Sequence, residues 1–220
     1  VQKLPQSGRD LELTVDAQLQ KKTYESIKDL ITRRGFKGGA AVIMDAQNGE
    51  ILSLVSYPSF DSNNVSKFLN DPSEPLFNRA ISGLYPAGSI IKPLIAIAAL
   101  EEKVIAPEKE ILSVGYLSLP NPFNPSQPSI FYDWKAHGWV DMPHALAFSS
   151  NVYFYTVGGG FGEIKGLGGR KIQEWAKKFG LGEKTGIDLP GEKAGFVPGP
   201  EWKAEANKAD PLWRVGDTYN

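Results

Sequence analysis

Tyr85-Pro86-Ala87-Gly88-Ser89-Ile90-Ile91-Lys92-Pro93 sets a hydroxyl and an amine one helical turn apart at a helix start. Gly88 lets the chain turn sharply, and Pro93, which has no N–H to donate, is tolerated cheaply only near a first helical turn. The pattern predicts a helix beginning close to Ser89, with residues 90–100 as its buried apolar continuation. Residues i and i+3 on a helix stand about 5–6 Å apart at Cβ, so the Lys92 amine can reach the Ser89 oxygen and take its proton. Lysine does this only when neutral, and burial beside an apolar helix, remote from carboxylates, pushes its pKa down in the required direction. Unpaired backbone N–H groups at the helix start add a donor for an oxyanion.

The bare spacing decides little. With 16 Ser and 18 Lys in 220 residues, Ser-x-x-Lys is expected about 16 × 18 / 220, or roughly 1.3 times, by chance, so context must carry it. The context is a second motif, Ser149-Ser150-Asn151, expected in a turn between helices at 142–148 and 152–155. In such a turn the Ser149 hydroxyl and the Asn151 amide can both face one cleft, the first relaying a proton and the second holding a substrate amide. The same letters also read as a serine capping the next helix, and Ser62-Asn63-Asn64 repeats the Ser-x-Asn pattern.

Length and a 41% apolar composition allow a sizeable core, best read as one domain. The net charge of −1, with both signs interspersed and no basic-aromatic cluster, argues against a nucleic-acid partner. The lack of cysteine excludes disulfides, thiol catalysis and zinc-thiolate sites and fits an oxidising compartment. The two histidines, His137 and His144, are spaced poorly for joint metal ligation, and no Gly-x-Ser-x-Gly elbow supports a histidine-based triad. No metal and no cofactor are therefore expected. No apolar run is long enough to read as a membrane span, and the start at Val1 leaves room for an anchor or signal upstream.

Residues 1–13 read as a linker entering the domain, and 14–220 as the domain itself. Asp16 caps a helix with Ile27, Leu30 and Ile31 on its apolar stripe, Arg33 and Arg34 in its last turn and Gly35 at its end. Strands at 40–45 and 50–56, joined through Asn48-Gly49, give an antiparallel hairpin for that helix to pack on. Residues 57–84 are polar and turn-rich, and 106–140, with Pro120-Asn121-Pro122 and Trp134, show no clear period and suit a cleft-shaping loop. Residues 158–169 are glycine-rich without a phosphate-loop signature, and 171–179 read as a surface helix ending at Gly180.

Taken together, the chain resembles the transpeptidase domain of class B penicillin-binding proteins, most closely the elongation-type penicillin-binding protein 2. The resemblance rests on Leu13-Thr14-Val15-Asp16, Asn48-Gly49-Glu50-Ile51-Leu52, Tyr57-Pro58-Ser59-Phe60-Asp61, Asn78-Arg79-Ala80, the Pro86 to Pro93 run, Ser149-Ser150-Asn151-Val152-Tyr153-Phe154-Tyr155 and Thr185-Gly186-Ile187-Asp188-Leu189-Pro190-Gly191-Glu192. It implies an α/β (α+β) fold of the penicillin-binding-protein and serine β-lactamase type, an antiparallel sheet flanked by helices. It also implies a D,D-transpeptidase: Ser89 as the acylated nucleophile attacking D-Ala-D-Ala of a peptidoglycan stem peptide, Lys92 as base, Ser149 relaying the proton and Asn151 holding the peptide amide. β-Lactams would acylate Ser89. Further implied are a SEDS-family glycosyltransferase and elongation machinery as partners, and a place on the outer face of the bacterial cytoplasmic membrane through an N-terminal anchor outside this chain.

One element of that family pattern is absent. Its third motif, Lys-Thr/Ser-Gly on a strand, is expected well after the Thr185 segment, whereas Lys184-Thr185-Gly186 follows Asn151 too soon and leads into Asp188-Leu189-Pro190-Gly191, which is no central-strand pattern. The resemblance therefore implies a domain truncated before its third motif and C-terminal strands, and weak activity for this chain alone. Some relatives hold a metal between the first two motifs, where Asp133-Trp134-Lys135-Ala136-His137-Gly138 lies here; one histidine, one aspartate and no cysteine argue against it. A non-catalytic β-lactam sensor or interaction module, and a β-lactamase, are the alternatives on the same fold.

Overall fold

A computed structural model of the chain describes residues 8, 10–121, 124 and 126–206, with Lys203 by its backbone alone. Most of the expected linker, Pro122 and the stretch 207–220 lie outside the described residues. The chain divides into two compact units, Val1–Leu84 with Ile187–Lys193, and Tyr85–Gly186 with Ala194–Asn220.

The first unit is a helix on a hairpin. Helix α1 (Ala17–Arg34) starts at Asp16, whose carboxylate accepts from the N–H groups of Gln18 and Leu19, and ends at Gly35 in the left-handed conformation. Strands β1 (Gly39–Met44) and β2 (Ile51–Tyr57) pair antiparallel, Ala41 opposite Val55, with an irregularity between Ile43 and Met44. The turn carries Asn48-Gly49 as expected, Gly49 N–H donating to the Asp45 carbonyl at 2.8 Å. The stripe is narrower than predicted: Ile31 is buried and Ile27 half-buried, but Leu30 is 41% exposed. A two-stranded sheet offers only a narrow face, which Ile27 and Ile31, one turn apart, reach beside Gly39. Gln20, on the same helix, extends the contact by polar means, its amide accepting from Leu54 N–H and donating to the Leu54 carbonyl, both at 2.8 Å. Within the turn-rich segment a 3₁₀ turn (Ser62–Phe68) and a short helix α2 (Arg79–Ser82) form. The Arg79 guanidinium ties this segment down through the carbonyls of Ser73 and Glu74.

The second unit is mainly helical. A 3₁₀ turn (Gly88–Ile91) leads directly into α3 (Lys92–Glu101). Gly88 has φ +61, the left-handed region that a side chain would strain, and Pro93 falls in the first turn of α3, as the sequence requires. The helices α4 (Met142–Ala147), α5 (Asn151–Gly159), α6 (Gly168–Lys178) and α7 (Pro200–Ala206) follow. Leu94, Ile95, Ala98 and Ala99 of α3 meet Tyr153, Phe154 and Val157 of α5, with Met142, Ala145 and Leu167 closing the core. The run 90–100 is less uniformly buried than expected: Ile90 is 82% exposed, because it sits in the 3₁₀ turn ahead of the packed helix, and Ile97 and Leu100 are also exposed.

The described residues of 106–140 form short strands that the sequence did not announce. Strands β3 (Ile111–Ser113) and β6 (Gly138–Val140) make an outer pair, and β4 (Tyr116–Leu119) and β5 (Ser129–Tyr132) an inner one. Elements this short hold too few side chains for alternation to show in a proline-rich segment. Lys184-Thr185-Gly186 lies in irregular chain, outside any strand.

Candidate active site

Lys92 is the centre of the site. It is the first residue of α3, only 8% exposed, and its backbone N–H donates to the Ser89 carbonyl, closing the 3₁₀ turn. In such a turn residues at i and i+3 eclipse, which sets the Ser89 and Lys92 side chains one above the other. Ser89 is solvent-exposed at the mouth of that turn, whose N-terminus carries no side-chain cap.

The Lys92 amine does not bond the Ser89 hydroxyl. Among the described residues its hydrogen bonds run to the second motif: the Ser149 carbonyl at 2.7 Å, the Ser149 Oγ at 3.1 Å and the Asn151 Oδ1 at 2.6 Å. Two of these partners, the carbonyl and the amide oxygen, can only accept. A neutral amine has two N–H groups and one lone pair, so with both N–H groups held by those acceptors the lone pair is left for a hydroxyl. The Phe154 ring lies 5.7 Å from the amine nitrogen. Burial lowers the Lys92 pKa from its ordinary value, and the Asp133 carboxylate works against that shift. The direction agrees with the sequence reading, but the lysine is not remote from carboxylates: the chain folds Asp133 in beside it from a distant segment, and nothing in the intervening sequence signals the approach.

Ser149 and Asn151 meet at one atom because of the turn between α4 and α5. Ser149 has φ +54, a left-handed conformation uncommon for a side-chain-bearing residue. Its N–H donates to the Leu146 carbonyl at 3.1 Å, and that of Ser150 to the Ala145 carbonyl at 2.9 Å. Helix α5 begins earlier than expected, at Asn151, and its cap is Ser150 rather than Ser149, accepting from Tyr153 N–H. The two readings of the motif are thus divided between neighbours: Ser150 caps while Ser149 and Asn151 face the lysine. The Asn151 amide also donates to the Tyr132 carbonyl at 3.5 Å.

Asp133, just past β5, enters the sequence reading only as part of a candidate metal-binding segment. Its carboxylate accepts from Ser150 Oγ at 2.8 Å, Val152 N–H at 3.0 Å, Trp134 N–H at 2.9 Å and Ser113 Oγ at 3.3 Å. Burial pushes its pKa up, but the N–H groups of Val152, Asn151 and Trp134 and the Ser150 hydroxyl outweigh it and hold the carboxyl below its ordinary value. Buried His137 places Nε2 3.6 Å from Asp133 Oδ1, beyond hydrogen-bonding distance. This donor set does not fit a divalent cation: one carboxylate already engaged by four donors, one imidazole and two hydroxyls. Among the described residues no group of three or more His, Cys, Asp or Glu side chains could hold one.

The family model described as the penicillin binding protein transpeptidase domain matches residues 39–211, and the chain belongs to that family. Among curated relatives, the peptidoglycan D,D-transpeptidase MrdA of Haemophilus influenzae is 36% identical over 97% of this chain and 32% of its own length. The chain therefore spans about a third of the curated relatives it matches. Among solved structures, the penicillin-binding protein PBP2 of Helicobacter pylori superposes with a TM-score of 0.77 at 32% identity, covering 98% of this chain and 39% of that one. The same protein in complex with MreC gives a TM-score of 0.69 at 32% identity, over 90% and 36%. The fold and the family expected from the sequence are those found.

Proposed function

We propose that this chain is part of a D,D-transpeptidase that cross-links peptidoglycan stem peptides through an acyl-enzyme on Ser89. The observation that carries this is the Lys92 amine, buried, one turn from an exposed serine and held by Ser149 and Asn151. Neutral Lys92 takes the Ser89 proton as Oγ attacks the carbonyl carbon of the penultimate D-alanine. The C–N bond to the terminal D-alanine then breaks, and its nitrogen receives a proton from Lys92 by way of Ser149. An amine of a neighbouring stem peptide attacks the resulting ester, frees Ser89 and completes the cross-link. Asn151 keeps one amide N–H for the peptide backbone of the substrate. β-Lactams present a comparable acyl group to Ser89, and their ring nitrogen is a leaving group that stays attached.

The names of the relatives support this reading, and a solved complex of one relative with MreC supports elongation machinery of that kind as a partner; a SEDS-family glycosyltransferase is proposed on the family resemblance alone. Among the described residues no helix is long and apolar enough to cross a membrane, so a membrane anchor placing the protein at the outer face of the cytoplasmic membrane would lie elsewhere in the protein. The test is a fluorescent penicillin incubated with the full-length protein, followed by peptide mapping. A stable label on Ser89, lost in Ser89→Ala, is expected. A label released within seconds would mean a β-lactamase, and no label at Ser89 would end the proposal.

A further inference from the structure

We propose that Asp133 is a positioning residue for acyl transfer, anchoring Ser150 and the first turn of α5 so that Ser149 and Asn151 remain at the Lys92 amine. The inference rests on the acyl-transfer reading above and adds to it a residue outside both motifs. Ser149 occupies a backbone conformation that persists only where the surroundings over-determine it. Lys92 holds the turn from one side through the Ser149 carbonyl and the Asn151 amide. Asp133 holds it from the other, receiving the residue after Ser149 through Ser150 Oγ and the residue after Asn151 through Val152 N–H.

The anchor is itself fixed. The Asp133 N–H donates to the Gly115 carbonyl at 2.9 Å, its carboxylate receives Trp134 N–H and Ser113 Oγ, and the Trp134 indole donates to the Phe148 carbonyl at 3.1 Å, immediately before Ser149. The two nested strand pairs therefore serve to carry one carboxylate to the back of the motif. Hydrogen bonds do this work here, and no donor set for a cation accompanies them among the described residues. The same carboxylate is the charged group acting on Lys92, whose other close neighbours are the Ser149 and Asn151 oxygens and the Phe154 ring; Tyr155 and His137 are the further titratable groups beside Asp133.

The experiment measures the acylation rate of the full-length protein by fluorescent penicillin from pH 6 to 10, in wild type, Asp133→Asn and Ser150→Ala, with folding checked by thermal melting. Misplacement of a reacting group by about 1 Å can cost 10²-fold. For Asp133→Asn the high-pH plateau should therefore fall by about 10²-fold, while the inflection moves to lower pH because a negative charge beside Lys92 is gone. Ser150→Ala keeps that charge, so it should lower the plateau and leave the inflection in place; it also serves if Asp133→Asn fails to fold. Plateaus within threefold of wild type in folded variants would overturn the inference, as would a wild-type rate that falls on chelation and returns with a divalent cation. Loss of labelling in the wild type itself would instead strike at the transpeptidase reading, and this inference would go with it.

Discussion

In the proposed reaction Lys92 has to lose a proton, and its surroundings pull in two directions. Burial favours the neutral amine while Asp133 favours the ammonium, and the net pKa lies below the ordinary lysine value of 10.5. The neutral fraction grows as pH rises through that lowered pKa, so acylation should increase with pH and level off below the range of a free lysine. A rate that stays flat from pH 6 to 10 in stopped-flow acylation would sink this role. Removing the proposed base, Lys92→Ala, should slow acylation by about 10²–10⁴-fold with a much smaller change in reversible penicillin binding. Lys92→Arg should not rescue it, since a guanidinium stays protonated. Ser89, Lys92, Ser149 and Asn151 were all legible as letters and spacing. Asp133 was not, because its role depends on Ser113, Ser150 and Val152, partners remote from it along the chain.

Helix α5 shows what its burial costs. Tyr153 is fully buried and its hydroxyl has no hydrogen-bond partner among the described residues, while burial and Asp141 raise its pKa to about 12. A buried hydroxyl left unpaired costs roughly 1–3 kcal/mol. Tyr153→Phe should therefore stabilise the protein by about 1 kcal/mol, read as a higher melting temperature; a lower one would mean the hydroxyl has a partner after all. Long or strongly punctuated elements were readable in advance: α1 between Asp16 and Gly35, the hairpin around Asn48-Gly49, and α3 behind Gly88 and Pro93. The strands β3 to β6 were not, since each is too short to display a period.

For the molecule as a whole, Asp133 links stability to acidity. Its folded pKa lies below the ordinary value of 3.8, so between the two values the unfolded chain binds more protons and stability rises with pH. The contribution is complete well above the unfolded value and is lost as pH falls through the folded pKa. In urea titrations at pH 6, 4 and 3 the wild type should lose more stability on acidification than Asp133→Asn, and equal losses would refute the linkage. The amino-acid sequence by itself determined the family, through motifs spread along the chain, and offered four candidate site residues; it also determined the helix starts and stops and the hairpin, because caps and turns act between near neighbours in the chain. Tertiary structure alone decided which atoms the Lys92 amine holds, that Ser150 rather than Ser149 caps α5, and that a buried carboxylate supports the turn from behind. Those outcomes depend on contacts between segments far apart in sequence, and such contacts are settled by packing and by the need to satisfy every buried polar group at once.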